Sequence, residues 1–126
     1  MTGDYLGRPS SDGTAPAALE LRCSLGDDWA LVELSGELDL LSASDLEAVL
    51  EALVRRGHVW LRIDMRHLEF IDARGLGALA ATAESVAGSG SLRLVSPRPI
   101  VRRLLAITGL DGVVKVEEPA LPGSPD

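Results

Sequence analysis

Cysteine, aromatic residues and long apolar runs are scarce in this chain of 126 residues. Cys23 is the single cysteine, which excludes an intramolecular disulfide and a metal site built from several cysteines. Four aromatic residues are too few to line a large aromatic pocket, so the core must consist mainly of aliphatic side chains. No apolar run is long enough to cross a membrane, and the first residues do not resemble a signal peptide. These absences predict a cytoplasmic protein. Cys23 lies on the apolar face of the first predicted strand, so it is predicted to be a small buried side chain without a redox role.

Acidic residues outnumber basic ones, with 19 Asp and Glu against 12 Lys and Arg, and the formal net charge is −7. Nonspecific binding to nucleic acid and to anionic lipid both depend on clustered positive charge, so both are disfavoured. The length fits one domain, which needs no cofactor in order to fold. We predict that this domain covers residues 18–118, between flexible tails at 1–17 and 119–126 that are poor in apolar residues.

The hydrophobic pattern predicts an α/β fold with the order β-β-α-β-α-β-α-β and a mixed, mostly parallel sheet. The two leading strands form a hairpin, and helices then alternate with strands. The predicted strands cover 19–25, 29–36, 58–65, 91–96 and 113–116, with 66–70 as a connection.

Two helix starts carry capping signals. Ser44 and Glu47 have the S-x-x-E spacing of a capping box, followed by apolar residues at helical spacing up to Gly57. Asp72 stands between an apolar pair and a second helical pattern, so it is predicted to be an N-cap, with Ala73 and Arg74 as the first helical positions. A third helix is predicted to begin at 97–99 and to end before Gly109.

Several carboxylates lie at strand ends, where α/β proteins often bind ligands, so an enzyme or a metal site has to be considered. These residues are Glu37, Asp39, Asp64 and Asp72. Against this hypothesis, the sequence lacks a Ser–His–Asp spacing and an H-x-x-x-H motif, and both His58 and His67 are predicted to be solvated. A receiver domain with Asp64 as phosphate acceptor would need a lysine in a late loop, but Lys115 is predicted to lie in a strand. The glycines of G-L-G are not part of a phosphate-binding loop.

The segment FIDARGLG, residues 70–77, resembles the D-S-[ST]-G-L-G signature of the STAS domain, in particular that of bacterial anti-sigma-factor antagonists. VELSGELDLLSASDLEAVL resembles the same family's strand, G-E-x-D loop and helix, and VRRLLAITGLDGVVKV its late helix and strand. The resemblance therefore covers most of the predicted domain, with three segments in the family's order.

This resemblance implies a nonenzymatic regulator, without cofactor, that binds a histidine-kinase-like anti-sigma factor and so releases a sigma factor by partner switching. In that family the kinase phosphorylates the serine after the motif's aspartate, and the phosphorylated antagonist dissociates. Here that position is Ala73, which has no hydroxyl to accept phosphate. The partner-binding residues that the resemblance implies are Glu37, Asp39, Ser42, Phe70, Asp72, Ala73, Arg74, Gly75 and Leu76.

Ala73 and Arg74 allow two explanations. Helix propensity alone would favour both residues at a helix start, without any role in binding. A cation in the first turn opposes the helix dipole, however, which favours a role for Arg74 toward a partner's carboxylate or phosphate. At the level of the whole protein, the alternative is a STAS scaffold or regulatory subunit of a transporter or stress-signalling complex. An enzyme of unknown type is the third hypothesis.

Overall fold

The computed structural model describes residues 19–118, which form five strands, three α-helices and one short 3₁₀ helix. The predicted tails at 1–17 and 119–126 lie outside the described residues. The strands are β1 (Glu20–Leu25), β2 (Trp29–Leu38), β3 (Trp60–Ile71), β4 (Ser91–Val95) and β5 (Lys115–Glu117). The helices are α1 (Ser42–Arg55), α2 (Ala73–Val86) and α3 (Pro99–Thr108), with the 3₁₀ turn Leu110–Gly112 before β5.

The sheet has the order β1-β2-β3-β4-β5, so neighbours in sequence are neighbours in space. The β1–β2 hairpin is antiparallel and the other three pairs are parallel. This confirms the predicted α/β class, element order and mixed sheet. Because β2, β3 and β4 run the same way, their carboxyl ends meet at one edge, where α1, α2 and α3 follow them along the chain.

The core lies on one face of the sheet. Alternate residues of each inner strand are buried there, together with apolar residues of all three α-helices. Cys23 belongs to this core, as predicted. Helix α1 packs on β2 and α2, and α2 packs on β3 and β4. Positions that point to the other face, such as Arg22, Trp29 and Trp60, are exposed, so the described helices leave that face open.

Strand β3 is longer than predicted, because residues 66–70 continue it instead of forming a connection. Two register shifts along the β2–β3 ladder each add one residue to β3, between Asp64 and His67 and between Leu68 and Phe70. Such bulges break the alternation of buried and exposed side chains. Leu68 is thereby buried where strict alternation would have buried His67.

Two further predictions were wrong. Helix α1 begins at Ser42 and not after Ser44, and no capping bond from Ser44 is present. His58 is buried, not solvated, and its Nδ1 atom has no hydrogen-bond partner among residues 19–118, while His67 is exposed as predicted. Helix α3 does follow the prediction, with Pro99 in its first turn and Gly109 in the left-handed conformation (φ 78°) after its end.

Candidate functional site

The ends of β2 and β3 bring two segments of the sequence together. Glu37 pairs with Phe70 and Leu38 with Ile71 in the parallel ladder. One step further, the backbone N–H of Asp72 donates to the Leu38 carbonyl over 3.1 Å. The loop before α1 and the first turn of α2 therefore start from adjacent points on the sheet edge.

The loop before α1 is held by hydrogen bonds around Asp39 and Ser42. One Asp39 carboxylate oxygen, Oδ1, accepts from the N–H of Leu41 over 3.1 Å and from the N–H of Ser42 over 2.9 Å. Ser42 Oγ accepts from the Asp39 N–H over 2.9 Å and lies 2.9 Å from Asp39 Oδ1 and 3.1 Å from the Glu37 carbonyl. Because the N-cap residue Leu41 has no polar side chain, Asp39 caps the helix from two residues upstream.

The first turn of α2 is capped by its own N-cap residue, as predicted. Asp72 is extended, and its Oδ1 accepts from the Gly75 N–H over 3.1 Å. Ala73 and Arg74 are the first helical residues, and both are exposed. Arg74 makes an ion pair with Glu47 of α1 at 3.5 Å, and both side chains remain about half exposed, so this pair contributes little to stability.

Gly75 lets the start of α2 approach the sheet closely. A Cβ atom at this position would lie 2.7 Å from Leu38 Cγ and 3.1 Å from Ile71 Cγ1. Leu38 is fully buried and cannot move aside freely. At Gly77, one half-turn further, an added Cβ has no atom within 4 Å in the described part of the chain, apart from its sequence neighbours and the adjacent backbone of α2. The first glycine of G-L-G is therefore required by packing, whereas the second is not.

Three large apolar side chains are exposed in the same two segments. Leu40 is 59% exposed, Leu41 67% and Phe70 46%. Together with Ala73 and Arg74 they form what we call the turn surface. Motif reasoning missed the two leucines. The available signal was the pair of adjacent leucines that directly follows Asp39 and lies before the predicted helix.

The predicted partner-binding residues fall into three groups by exposure. Phe70, Ala73 and Arg74 are exposed, Glu37, Asp39 and Asp72 are half-buried, and Ser42, Gly75 and Leu76 are buried. The exposed residues can touch a partner directly, while the others hold the loop and the helix start in place. The remaining carboxylate of the sequence hypothesis, Asp64, is buried and accepts from the backbone N–H and the guanidinium of Arg66, both at 3.0 Å, so it stabilises the first bulge of β3.

Within residues 19–118, no group of three or more His, Cys, Asp and Glu side chains is arranged to hold a metal ion. None of the helices in this range has the length and apolar content needed to span a bilayer.

Comparison with known proteins agrees with the geometry. The family model described as "Mlab, STAS domain" matches residues 22–117. The chain is 31% identical over 98 residues to the anti-sigma-F factor antagonist RsfB of Mycobacterium tuberculosis, covering 78% of this chain and 80% of that protein. It is 28% identical to the anti-sigma-B factor antagonist of Staphylococcus epidermidis, covering 73% and 86%.

A solved structure leads to the same family. The crystal structure of an anti-sigma factor antagonist from Mycobacterium paratuberculosis superposes with a TM-score of 0.74 at 32% identity, covering 86% of this chain and 92% of that one. With a family model that spans most of the chain, and with relatives that match over most of their own length, the chain belongs to the STAS domain family and, within it, to the anti-sigma factor antagonists.

Proposed function

We propose that this protein acts by binding, without catalysis of its own, in the cytoplasm, and that its partner is a kinase-type anti-sigma factor. Binding at the turn surface would displace a sigma factor from that partner and so switch transcription. The relatives are named antagonists of anti-sigma factors, which supports an anti-sigma factor as the partner.

The observation that carries the proposal is the exposure of Leu40, Leu41 and Phe70 beside a capped helix start. Large apolar side chains that are displayed together are typical of protein-binding surfaces. Aromatic side chains such as that of Phe70 are also enriched at the centre of such interfaces. The hydrogen bonds around Asp39 keep the loop in one conformation, which lowers the entropy that ordering it on binding would cost.

We also propose that this antagonist is not switched off by phosphate at the family's usual position. Ala73 occupies that exposed position in the first turn of α2. Nearby hydroxyls are poor substitutes: Ser42 is buried and hydrogen-bonded, and Thr82 Oγ1 donates to the Ala78 carbonyl over 3.0 Å. Ser44 is exposed in the first turn of α1, which makes it the hydroxyl to examine if regulation by phosphate is found.

The test is binding of the purified protein to kinase-type anti-sigma factors of the same cell, compared between wild type and Ala73→Glu. Ala106→Glu is the matched control, because Ala106 is also exposed on a helix but lies on α3. We expect Ala73→Glu to weaken binding more than tenfold, since a carboxylate would be placed without a partner in the interface. Ala106→Glu should bind as wild type does. Equal binding by wild type and Ala73→Glu would exclude the turn surface as the interface.

Two further measurements define the function. Incubation with the partner and ATP should add no phosphate to wild type, whereas Ala73→Ser should restore phosphorylation at residue 73. Incorporation of phosphate at Ser42, Ser44 or Thr82 in the wild type would mean that the regulatory position is one of these hydroxyls and not residue 73. Recovery of an ATP-transporter subunit from cell extract, in place of an anti-sigma factor, would indicate the alternative role in a transporter complex.

A further inference from the structure

The two edge strands of the sheet differ in how far they are protected against further pairing. At one edge, β5 has only three residues, Lys115–Glu117. At the other edge, β1 has six residues, Glu20–Leu25, without a proline, and it pairs with β2 in an unbroken register without a bulge. Short length, prolines and bulges commonly keep edge strands from pairing with other chains. Because β1 has none of these three features, its outer edge is suited to accept another strand.

The hairpin determines which backbone groups of β1 face outward. The N–H of Gly26 donates to the Trp29 carbonyl over 3.0 Å, so these two residues form a hydrogen-bonded pair. Hydrogen-bonded and non-hydrogen-bonded pairs alternate along an antiparallel ladder, so Glu20 and Arg22 bond to β2, whereas the N–H and C=O of Leu21 point away from it. A strand added at this edge would therefore bond to Leu21.

The side chains of β1 alternate between the two faces of the sheet. Leu21 is fully buried in the core, whereas Glu20 and Arg22 are exposed on the open face. Among residues 19–118, neither Glu20 nor Arg22 forms an ion pair. Charges on an edge strand oppose pairing when like charges meet across the two strands, and favour it when unlike charges meet. The effect of this pair therefore depends on the register of the added strand.

From this pattern we propose that two copies of the chain pair through β1, antiparallel and with the two-fold axis at Leu21. The Leu21 residues of the two copies then exchange both backbone hydrogen bonds, and Glu20 of each copy lies opposite Arg22 of the other. These flanking pairs are of the non-hydrogen-bonded kind, in which the Cα atoms are about 4.5 Å apart and the side chains are closest. With the axis at Arg22 instead, two guanidinium groups would face each other, so charge selects the register at Leu21.

The paired sheet would have ten strands, five from each copy, with all helices on one face. Because β2 of one copy runs opposite to β2 of the other, the two turn surfaces lie at opposite ends of the pair and both stay accessible. Pairing through β1 is therefore independent of binding at the turn surface. Contact along one short strand buries less area than a typical stable complex, so we expect a dissociation constant on the order of 100 µM.

The experiment is sedimentation equilibrium of the full chain, with charge variants of β1. Glu20→Arg and Arg22→Glu each place like charges opposite each other and should weaken association about tenfold. The double variant restores unlike pairs and should associate as wild type does. An equimolar mixture of the two single variants should also recover association, because one copy then carries two cations and the other two anions. Glu84→Arg and Arg103→Glu, at exposed positions on α2 and α3, make the same charge changes and should have no effect, singly or mixed.

Hydrogen exchange of two neighbouring amides gives a second readout. The Arg22 N–H, bonded to β2, should be protected at every protein concentration, whereas protection of the Leu21 N–H should rise with concentration. The same spectra verify that each variant is folded. Equal protection of Leu21 in dilute and concentrated samples would mean that another segment of the chain covers this edge, and would overturn the proposal.

Three results of sedimentation would also overturn it. The first is a wild type that stays monomeric at about 1 mM, tenfold above the expected dissociation constant. The second is a mixture of the two β1 variants that associates no better than the mixture of the two helix variants. The third is stronger association when wild type is mixed with Arg22→Glu, which would place the two-fold axis at Arg22 and not at Leu21.

Discussion

Helices α1 and α2 start from adjacent points of the sheet edge, but their first turns are closed in different ways. The start of α1 is closed by hydrogen bonds, since Asp39 and Ser42 bind each other and the backbone between them. The start of α2 has one capping bond from Asp72 and is otherwise fixed by the contact of Gly75 with Leu38.

This difference indicates that the two parts of the turn surface have different roles. A hydrogen-bonded loop does not need its apolar side chains for packing, so Leu40 and Leu41 can point outward. At the start of α2, close packing sets the position of the helix, and this position in turn determines where the exposed Ala73 and Arg74 lie. Each way of closing a turn can be weakened separately by mutation.

The largest effect on stability is expected from Gly75→Ala. The added Cβ would overlap the buried Leu38, and we expect a loss of about 2 kcal/mol in the free energy of unfolding, measured by urea denaturation. Gly77→Ala is the matched control, because its Cβ meets no atom within 4 Å; it should stabilise the protein by up to about 1 kcal/mol through helix propensity. Equal effects of the two substitutions would contradict the packing role of Gly75.

The capping residues come next. Asp39→Ala removes the acceptor of two backbone N–H groups and should cost about 1.5 kcal/mol, while Asp72→Ala removes one acceptor and should cost about 1 kcal/mol. Asparagine at either position keeps the accepting oxygen and should recover most of the loss. A larger loss in the free energy of unfolding for Asp72→Ala than for Asp39→Ala would contradict the stronger dependence of the α1 loop on hydrogen bonds.

A smaller effect, on binding alone, is expected for Leu40→Ser and Leu41→Ser. Since both side chains are exposed, stability should change by less than about 0.5 kcal/mol. Affinity for the proposed partner should fall about fivefold for each, or ~1 kcal/mol. Ile107→Ser, on the exposed side of α3, should leave affinity unchanged. Loss of stability in the loop variants would mean that the leucines pack on the domain.

The smallest effect is expected from the contact between the two helices. Arg74→Gln and Glu47→Gln should each change the free energy of unfolding by less than about 0.5 kcal/mol, because their ion pair is half exposed. A double-mutant cycle measures the coupling directly. A coupling energy above about 1 kcal/mol would show that the two helix starts are joined by charge as well as by the sheet.

Much of the fold could be predicted because alternating and helical patterns are local. The cap at Asp72 and the stop at Gly109 were found for the same reason. The start of α1 was misplaced because the spacing of Ser44 and Glu47 also occurs inside a helix. The pair that caps α1 is Asp39 and Ser42, in which each side chain accepts from the other's backbone N–H, as in a capping box. The residue types are D-x-x-S, however, and the S-x-x-E pattern does not include them.

Tertiary contacts account for the other errors. The hydrophobic pattern predicts a connection where β3 continues, because the bulges there interrupt the period of two. His58 is buried at the end of α1, where Gly57 is left-handed (φ 93°) and the backbone N–H of His58 donates to the Leu53 carbonyl. This is the bond pattern of a Schellman motif, which brings the residue after the glycine close to the last turn of the helix. The glycine alone was used to predict where the helix ends, and not to predict this burial. Gly75 and Gly77 are identical in sequence terms, and only the proximity of Leu38 distinguishes them.

The bulges of β3 determine which residue of β3 lies beside the end of β2, and so where α2 begins relative to α1. Between the pairs Glu33–Asp64 and Leu38–Ile71, β3 uses two residues more than β2 to cover the same ladder. Deleting one residue at a bulge would restore regular alternation there, but Asp72 would then no longer arrive opposite Leu38. The bulged segment thus acts as a spacer of fixed length, and in proteins built this way insertions and deletions should be tolerated in the hairpin loop before β2 much more readily than between residues 64 and 71.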